Sequence, residues 1–314
     1  MLNLAAIVGP TGAGKSSIAV KVGKILDIEV ISCDSMQIYR GMDVGTAKIT
    51  RDEMRGVPHH MIDICDPGDQ FSVSDYQKMV KPLIKQINER GRIPILVGGT
   101  GLYYQVVVDD YQLYPIKATP EIRKALNEEA GRIGNQALHQ RLESLDPEAA
   151  GKISPNDRKR IVRALEVIEV TGRPFSALQK RNPGRYRLAV AGLTMPRPML
   201  YERLDSRLDT MLENGLLEEV KQLLEKGYAP GLNSMQALGY AQIIKYLRGE
   251  LTWEEAVDEI KRDTRRYAKR QLTWFRRDPR INWWELSNHN VEDTCIDKIC
   301  EYFRRNLIVD CRIG

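Results

Sequence analysis

Residues 9–16, GPTGAGKS, match the pattern GxxxxGK[ST] in full through Gly9, Gly14, Lys15 and Ser16. Glycines let consecutive backbone N–H groups turn inward around phosphate oxygens. Lysine adds a compact positive charge, and a Ser hydroxyl can join the shell of a Mg²⁺ ion. The segment Gly9, Pro10, Thr11, Gly12, Ala13, Gly14, Lys15 and Ser16 is therefore expected to hold a di- or triphosphate, with Ser16 on the metal. This pattern does not distinguish a nucleoside triphosphate from another diphosphate ester. A second acid is expected after the next apolar strand, and Asp34 follows IEVISC. By position it fits a metal-holding acid, a base acting on an acceptor, or a turn former.

These groups need elements to hold them. The apolar run Leu2–Val8 predicts a buried parallel strand. Ile18, Ala19, Val22, Ile25 and Leu26 recur at helical spacing over 15–26, and Ile28–Cys33 predicts a second strand, which makes a βαβ unit. Residues 75–90 predict a helix with an irregularity at Pro82 and a stop at Gly91. Ile93–Val97 then runs into Gly98-Gly99-Thr100-Gly101, a second strand leading to a glycine-rich turn. In open α/β sheets such turns lie where ligands bind.

From about residue 115 to 187 the pattern is helical only, with helices expected at 120–131, 134–144 and 155–171, before Arg187–Leu193 restores a strand. The expected fold is α/β: a P-loop NTPase-like parallel sheet flanked by helices over 1–115 and 188–314, with an all-helical insertion domain over 116–187. Long amphipathic helices are expected over 199–226 and 253–275, and a last strand over 282–286.

Charge is concentrated. Residues 152–187 hold ten Lys/Arg against three acids, and residues 261–280 hold nine against two. Each window is +7 in a chain whose total is +5, so the remainder is −9. That distribution suits a polyanion partner or, equally, two solvated helix faces. No apolar run approaches the ~20 residues that span a bilayer, which argues against a membrane partner. Five scattered cysteines, Cys33, Cys65, Cys295, Cys300 and Cys311, form no CxxC pair and fit reduced thiols in a cytoplasmic protein without structural metal. His59 and His60 adjoin MIDIC at 61–65, which reads as strand-like, and neither they nor His139 and His289 receive a catalytic role.

GPTGAGKS, DSMQIYRGMDVGTAK at 34–48, VGGTGLYY at 97–104 and YAKRQLTWFRR at 267–277 occur in one chain, with NDRKRIVRALEV at 156–167 and ERLDSRLDTMLENGLLEEV at 202–220. In this the chain resembles the bacterial tRNA dimethylallyltransferase (tRNA isopentenyltransferase) family over essentially its whole length. The resemblance implies transfer of a dimethylallyl group from dimethylallyl diphosphate to the N6 amine of the adenosine just 3′ of the anticodon. It implies Asp34 as the base and Thr100 beside it orienting the bridging oxygen of the donor. It further implies Arg207 on the diphosphate, with Arg203 a neighbour able to do the same. On the same resemblance Ser35, Met36 and Gln37 would line the pocket for the extruded base. Arg123 and the segment Arg158, Lys159, Arg160, Ile161 and Val162 would face the tRNA. Mg²⁺ is the implied cofactor and a monomer the expected state. The zinc-finger-like extension of eukaryotic relatives is not expected here, because the chain ends soon after Cys311 without its ligand spacing.

Three other classes share parts of this pattern. An ATP-dependent small-molecule kinase would use the same P-loop but needs an arginine-bearing lid. A prenyltransferase of free adenine nucleotides has no need of two +7 segments. A non-catalytic RNA-binding module has no need of Lys15 and Ser16. Tyr103, Tyr104, Trp274 and Phe275 suit base stacking or prenyl contact, although packing is the commoner role of aromatics at helical spacing.

Overall fold

The computed structural model describes residues 1–113, 119–178, 180–287 and 289–307, and for 289–293 the backbone only. Two units are distinct, one spanning Met1–Val108 and resuming at Gly184, the other Asp109–Pro183.

The first unit is built on six strands, β1 (Leu2–Val8), β2 (Ile28–Ser32), β3 (His59–His60), β4 (Ile93–Gly98), β5 (Tyr186–Thr194) and β6 (Ile281–Glu285). They lie in the order β3-β2-β4-β1-β5-β6, and every pairing is parallel. Strands β1, β2 and β4 are buried on both faces, which is why they read as continuous apolar runs and not as alternations. The helices of this unit are α1 (Lys15–Gly23), α2 (Arg51–Met54), α3 (Val73–Glu89) and α4 (Gly101–Val108). The chain returns from the second unit, which holds α5 (Pro120–Leu145), α6 (Pro147–Lys152) and α7 (Arg158–Thr171). It then adds α8 (Arg197–Glu213), α9 (Leu216–Glu225), α10 (Tyr240–Leu247), α11 (Trp253–Phe275) and α12 (His289–Leu307).

Register decides where the chemistry sits. Val8 of β1 pairs with Gly98 of β4, so the two glycine-rich turns leave the sheet side by side. Cys33 N–H donates to Val97 O at 2.8 Å and Thr100 N–H to Cys33 O at 3.1 Å, which brings the residue after β2 to the same edge. One apolar cluster packs α1 and α12 against the sheet. A second joins α9, α10 and α11 to residues Ile38, Tyr39 and Met42 of the segment after β2.

Several expectations shift. The first helix stops at Gly23 and not Leu26, although Leu26 is still buried by the turn that follows. The stretch 61–65 is not a strand: Met61 and Asp63 have φ of +64° and +54°, incompatible with extended backbone, and the strand is His59–His60 instead. The helix expected over 199–226 is two, divided at Gly215, whose φ is +90°. Pro82 is accommodated inside the 17-residue α3. The helices α4 and α10 gave no sequence signal. The first is GLYYQVVV, apolar on every side, so no stripe marks it.

In the second unit, α5 carries a non-helical residue at Gly134, just after the break expected at 132–133, and α6 precedes α7. Its ends are tied to each other, with Asn182 N–H donating to Asp109 O at 2.9 Å and Gln112 N–H to Lys180 O at 2.8 Å. This closure puts the division at 108/109 and 183/184. The boundary expected at 115/116 falls within 114–118, outside the described residues.

Candidate active site

The P-loop leaves β1 with Gly9, Gly12 and Gly14 at φ of +147°, +79° and +80°, values that side chains with a Cβ rarely adopt. It leads directly into α1, whose first residue is Lys15. The lysine Nζ donates to Pro10 O at 2.7 Å. Burial lowers its pKa to about 8; the nearby Asp34 carboxylate opposes this and Arg207 adds to it. A lysine under such desolvation is short of anionic partners, and a diphosphate would supply them. Arg203 and Arg207, one turn apart on α8, line the same cleft of about 660 Å³, as do Ser16 and Thr11. Burial also depresses the Arg207 pKa, and its Nη1 reaches Thr11 Oγ1 at 3.5 Å.

Asp34 sits directly after β2. Its Oδ1 accepts from Met36 N–H at 2.9 Å, so it does form the turn that its position suggested. It also lines the P-loop cleft and a second, mainly apolar chamber of about 310 Å³ walled by Met36, Leu204, Leu208, Met211 and Ile260. Turn formation thus holds the carboxylate at the boundary of the two spaces. Thr11, Thr46, Arg207 and Tyr267 share that boundary. Thr100 Oγ1 accepts from Ser35 N–H at 3.0 Å and lies 3.4 Å from Ser35 Oγ, which fastens the segment after β2 to the segment after β4.

The model for IPP transferase matches residues 37–278. The tRNA dimethylallyltransferase of Syntrophomonas wolfei is 52% identical over 302 residues, covering 96% of this chain and 97% of that protein. That of Moorella thermoacetica is 52% identical, covering 92% of each. Among solved structures, the full-length tRNA isopentenylpyrophosphate transferase from Bacillus halodurans aligns with a TM-score of 0.73 at 46% identity over 98% of both chains. A eukaryotic dimethylallyltransferase, described as acting on tRNA, aligns with a TM-score of 0.82 at 28% identity, covering 99% of this chain and 82% of that one. The chain belongs to the IPP transferase family.

In this IPP transferase the structure brings Asp34, Ser35, Thr100, Lys15, Ser16 and Arg207 together at the carboxyl edge of the sheet. Met36 faces the apolar chamber, whereas Gln37 lines the P-loop cleft, held by Ser32 Oγ at 3.3 Å and by the carbonyls of Thr46 and Ala47 at 3.3 and 3.4 Å. Two residues of the site had no assigned role in the sequence. Gln271 of α11 accepts from Thr11 N–H at 2.8 Å and donates to Gly99 O at 2.9 Å, bridging the two glycine turns. Tyr267, one turn earlier, is within hydrogen-bonding reach of Thr100 and Gln271, and burial raises its pKa. Gln271 was findable: it is a polar residue on the buried stripe that also carries Ala268 and Phe275.

The expected RNA-facing residues of the second unit are a mixed set. Arg123 Nε donates to Glu166 Oε1 at 2.8 Å, Arg158 Nε to Asn127 Oδ1 at 3.1 Å, and Arg160 pairs with Asp157 at 3.4 Å. Lys159 is exposed. Ile161 and Val162 correct the expectation: their side chains are buried in the core of the helical unit, at 0% and 4% exposure, because they lie on the apolar stripe of α7. Burial pushes the Glu166 carboxyl up, but hydrogen bonds from Arg163, Thr119 N–H and Arg123 outweigh it and hold it below its ordinary value.

Packing claims Tyr103, Tyr104 and Phe275. Tyr103 stacks on Tyr76 at 4.0 Å, and Tyr104 donates to Asp278 at 2.9 Å while meeting Phe275 edge-on. His60 pairs with Glu29, and His139 Nε2 faces the carbonyls of Ala150 and Ile153. The side chain of His289 and all of Cys311 lie outside the described residues, and Cys33, Cys65, Cys295 and Cys300 are buried thiols. No described helix is long and apolar enough to cross a membrane. Among the described residues no cluster of three or more His, Cys, Asp or Glu could hold a metal. The exposed Ser16 hydroxyl in the cleft fits a Mg²⁺ ion whose other ligands are phosphate oxygens and water, the usual way that ion is held.

Proposed function

We propose that this chain transfers a dimethylallyl group from dimethylallyl diphosphate to the N6 amine of the adenosine immediately 3′ of the anticodon in tRNA, releasing diphosphate. Its family membership and its relatives at about half identity support the reaction class. The observation that carries the mechanism is the position of Asp34 on the wall common to a cationic cleft and an apolar chamber.

The diphosphate lies in the P-loop, against Lys15, Arg203 and Arg207. Mg²⁺, held through Ser16 and the diphosphate itself, would neutralise charge on the departing group. Lys15 and the arginines stabilise the negative charge that gathers on the bridging oxygen as the allylic C–O bond breaks. Thr100 orients that oxygen. The adenine enters from the apolar chamber, past Met36 and Ser35. Its amine is a weak nucleophile because the lone pair is delocalised into the ring. As the new N–C bond forms, the amine proton passes to the Asp34 carboxylate oxygen not engaged by Met36 N–H. General-base help of this kind is worth about 10²–10⁴-fold. Extruding the base costs a few kcal/mol, which contacts from basic side chains to the anticodon stem-loop offset. Arg123, Arg158, Lys159 and Arg160 of the helical unit serve that purpose, together with the exposed cations of α11. The protein acts as a cytoplasmic monomer.

The test is incubation of the wild-type chain with labelled dimethylallyl diphosphate, Mg²⁺, AMP and a tRNA bearing adenosine 3′ of the anticodon. Acid-stable label in the tRNA is expected. Label confined to AMP, or stoichiometric consumption of an added NTP, would overturn the proposal.

A further inference from the structure

The segment 43–48 contributes Thr46 to the boundary of both chambers and Gly45 to the apolar one. It contains neither strand nor helix, and its own hydrogen bonds are those of a local turn, Ala47 N–H to Val44 O at 3.0 Å and Lys48 N–H to Asp43 O at 2.9 Å. Its anchor lies about 175 residues away. Glu219 of α9 accepts three successive backbone N–H groups, those of Asp43 and Val44 on Oε2 at 2.8 Å each and that of Gly45 on Oε1 at 3.0 Å. Tyr240 OH donates to the same Oε1 at 2.6 Å. Consecutive amides converging on one carboxylate form an anion nest, and bonds to an ionised acceptor are the strong ones.

Three further contacts make the nest specific. Lys48 takes the Asp43 carboxylate at 2.5 Å, which keeps that negative charge paired beside Glu219. The fully buried Tyr240 ring lies so close to Gly45 that a Cβ there would stand 2.4 Å from it. Beyond the nest, the carbonyls of Thr46 and Ala47 hold the Gln37 amide. The lining of the apolar chamber also includes Leu216, three residues before Glu219 on the same helix. One helix therefore lines the chamber and fastens the loop that shares in that lining. The P-loop and the arginines of α8 take no part in this network.

We propose that Glu219 is a positioning residue for the acceptor: its carboxylate fixes residues 43–46 so that the apolar chamber keeps the shape that receives the adenine. This rests on the acceptor reading given above. Glu219→Gln replaces a carboxylate with an amide that has one acceptor oxygen and turns N–H groups toward the nest. The expected result is an acceptor KM raised on the order of tenfold with the dimethylallyl diphosphate KM within about twofold. In hydrogen exchange of the full chain, amides 43–45 should lose on the order of tenfold protection while α9 and α10 keep theirs. Tyr240→Phe, which retains all three amide bonds, should move the acceptor KM by no more than about threefold. Gly45→Ala, which drives the loop off Tyr240 without touching the carboxylate, should reproduce the Glu219→Gln pattern and serves if that variant does not fold. Unchanged exchange at 43–45, or a donor KM that rises as much as the acceptor KM, would overturn the role. If the wild type prenylates no RNA, the acceptor reading fails, and the exchange measurement still decides whether Glu219 holds the loop.

Discussion

The two chambers that meet at Asp34 are opposite in character. One gathers Lys15, Arg203 and Arg207 around glycine backbone; the other is walled by Met36, Leu204, Leu208, Met211 and Ile260. On the proposed mechanism, a polyanionic leaving group and a neutral ring would need opposite surroundings, because a single space would bury unpaired charge against hydrocarbon. Dividing the spaces by one carboxylate would then put the base where the two reactants meet. The cations of both basic windows divide the same way. In 152–187, Lys152, Arg160, Arg163 and Arg181 pair with acids, whereas Arg158 bonds the neutral Asn127 and Lys159, Arg173 and Lys180 are exposed and form no ion pair with an acid among the described residues. In 261–280, Lys261, Arg262, Arg265 and Arg266 are paired, but Lys269, Arg270, Arg276 and Arg277 form no ion pair with an acid among the described residues and are exposed. Formal charge is therefore not available charge in either window.

The division into chambers is tested most severely at its shared residue. Asp34→Ala should reduce single-turnover transfer by about 10²–10⁴-fold, with donor and tRNA affinities within about threefold. Turnover near wild type would leave Asp34 a turn former only. Next, Lys15→Ala should cost on the order of 10²-fold in kcat/KM for the donor, as loss of one preorganised transition-state contact does. On the proposed reading its ammonium would bind diphosphate only while protonated. Because its pKa in the free enzyme is about 8, donor affinity should fall as pH rises through that value, and Lys15→Arg should remove the inflection. A donor titration flat from pH 7 to 9.5 would contradict this. On the other side, Met211→Trp should fill the apolar chamber and raise the acceptor KM by roughly tenfold, the equivalent of about 1.4 kcal/mol, leaving the donor KM unchanged. An effect on the donor instead would mean that the prenyl chain, not the base, occupies that space.

The basic windows supply the smallest effects. Arg276→Gln with Arg277→Gln should flatten the log–log salt dependence of tRNA binding by about 0.7–0.9 unit per lost phosphate contact. Neutralising Arg158, Lys159 and Arg160 together should flatten it by less per residue, since two of the three already have partners. Equal slopes from the two sets would erase the distinction.

Much of the core was legible because its signals are local. The strands around GPTGAGKS and VGGTG are short apolar runs ending in glycine, and α11 spans Trp253–Phe275 as its apolar spacing predicts. What escaped had no such signal. The helix α4 is apolar all round, the segment 61–65 is bent by two positive-φ residues, and Ile161 and Val162 were grouped with their basic neighbours although the helical period turns them inward. Gln271 and Glu219 act on backbone about 170 or more residues distant, a relation that no window of sequence contains.

From the order of its residues alone, this chain declares a phosphate-binding loop between a strand and a helix, an acid at the end of the next strand, and a basic helical insertion, because each depends on residue type and short-range period. Whether Asp34 stands between two chambers, which arginines keep their charge for a partner, and what holds segment 43–48 were settled only when the parallel sheet brought its strand ends together and α8, α9 and α11 closed over them. Hydrogen bonds and ion pairs are set by distance in space, and the fold alone assigns those distances.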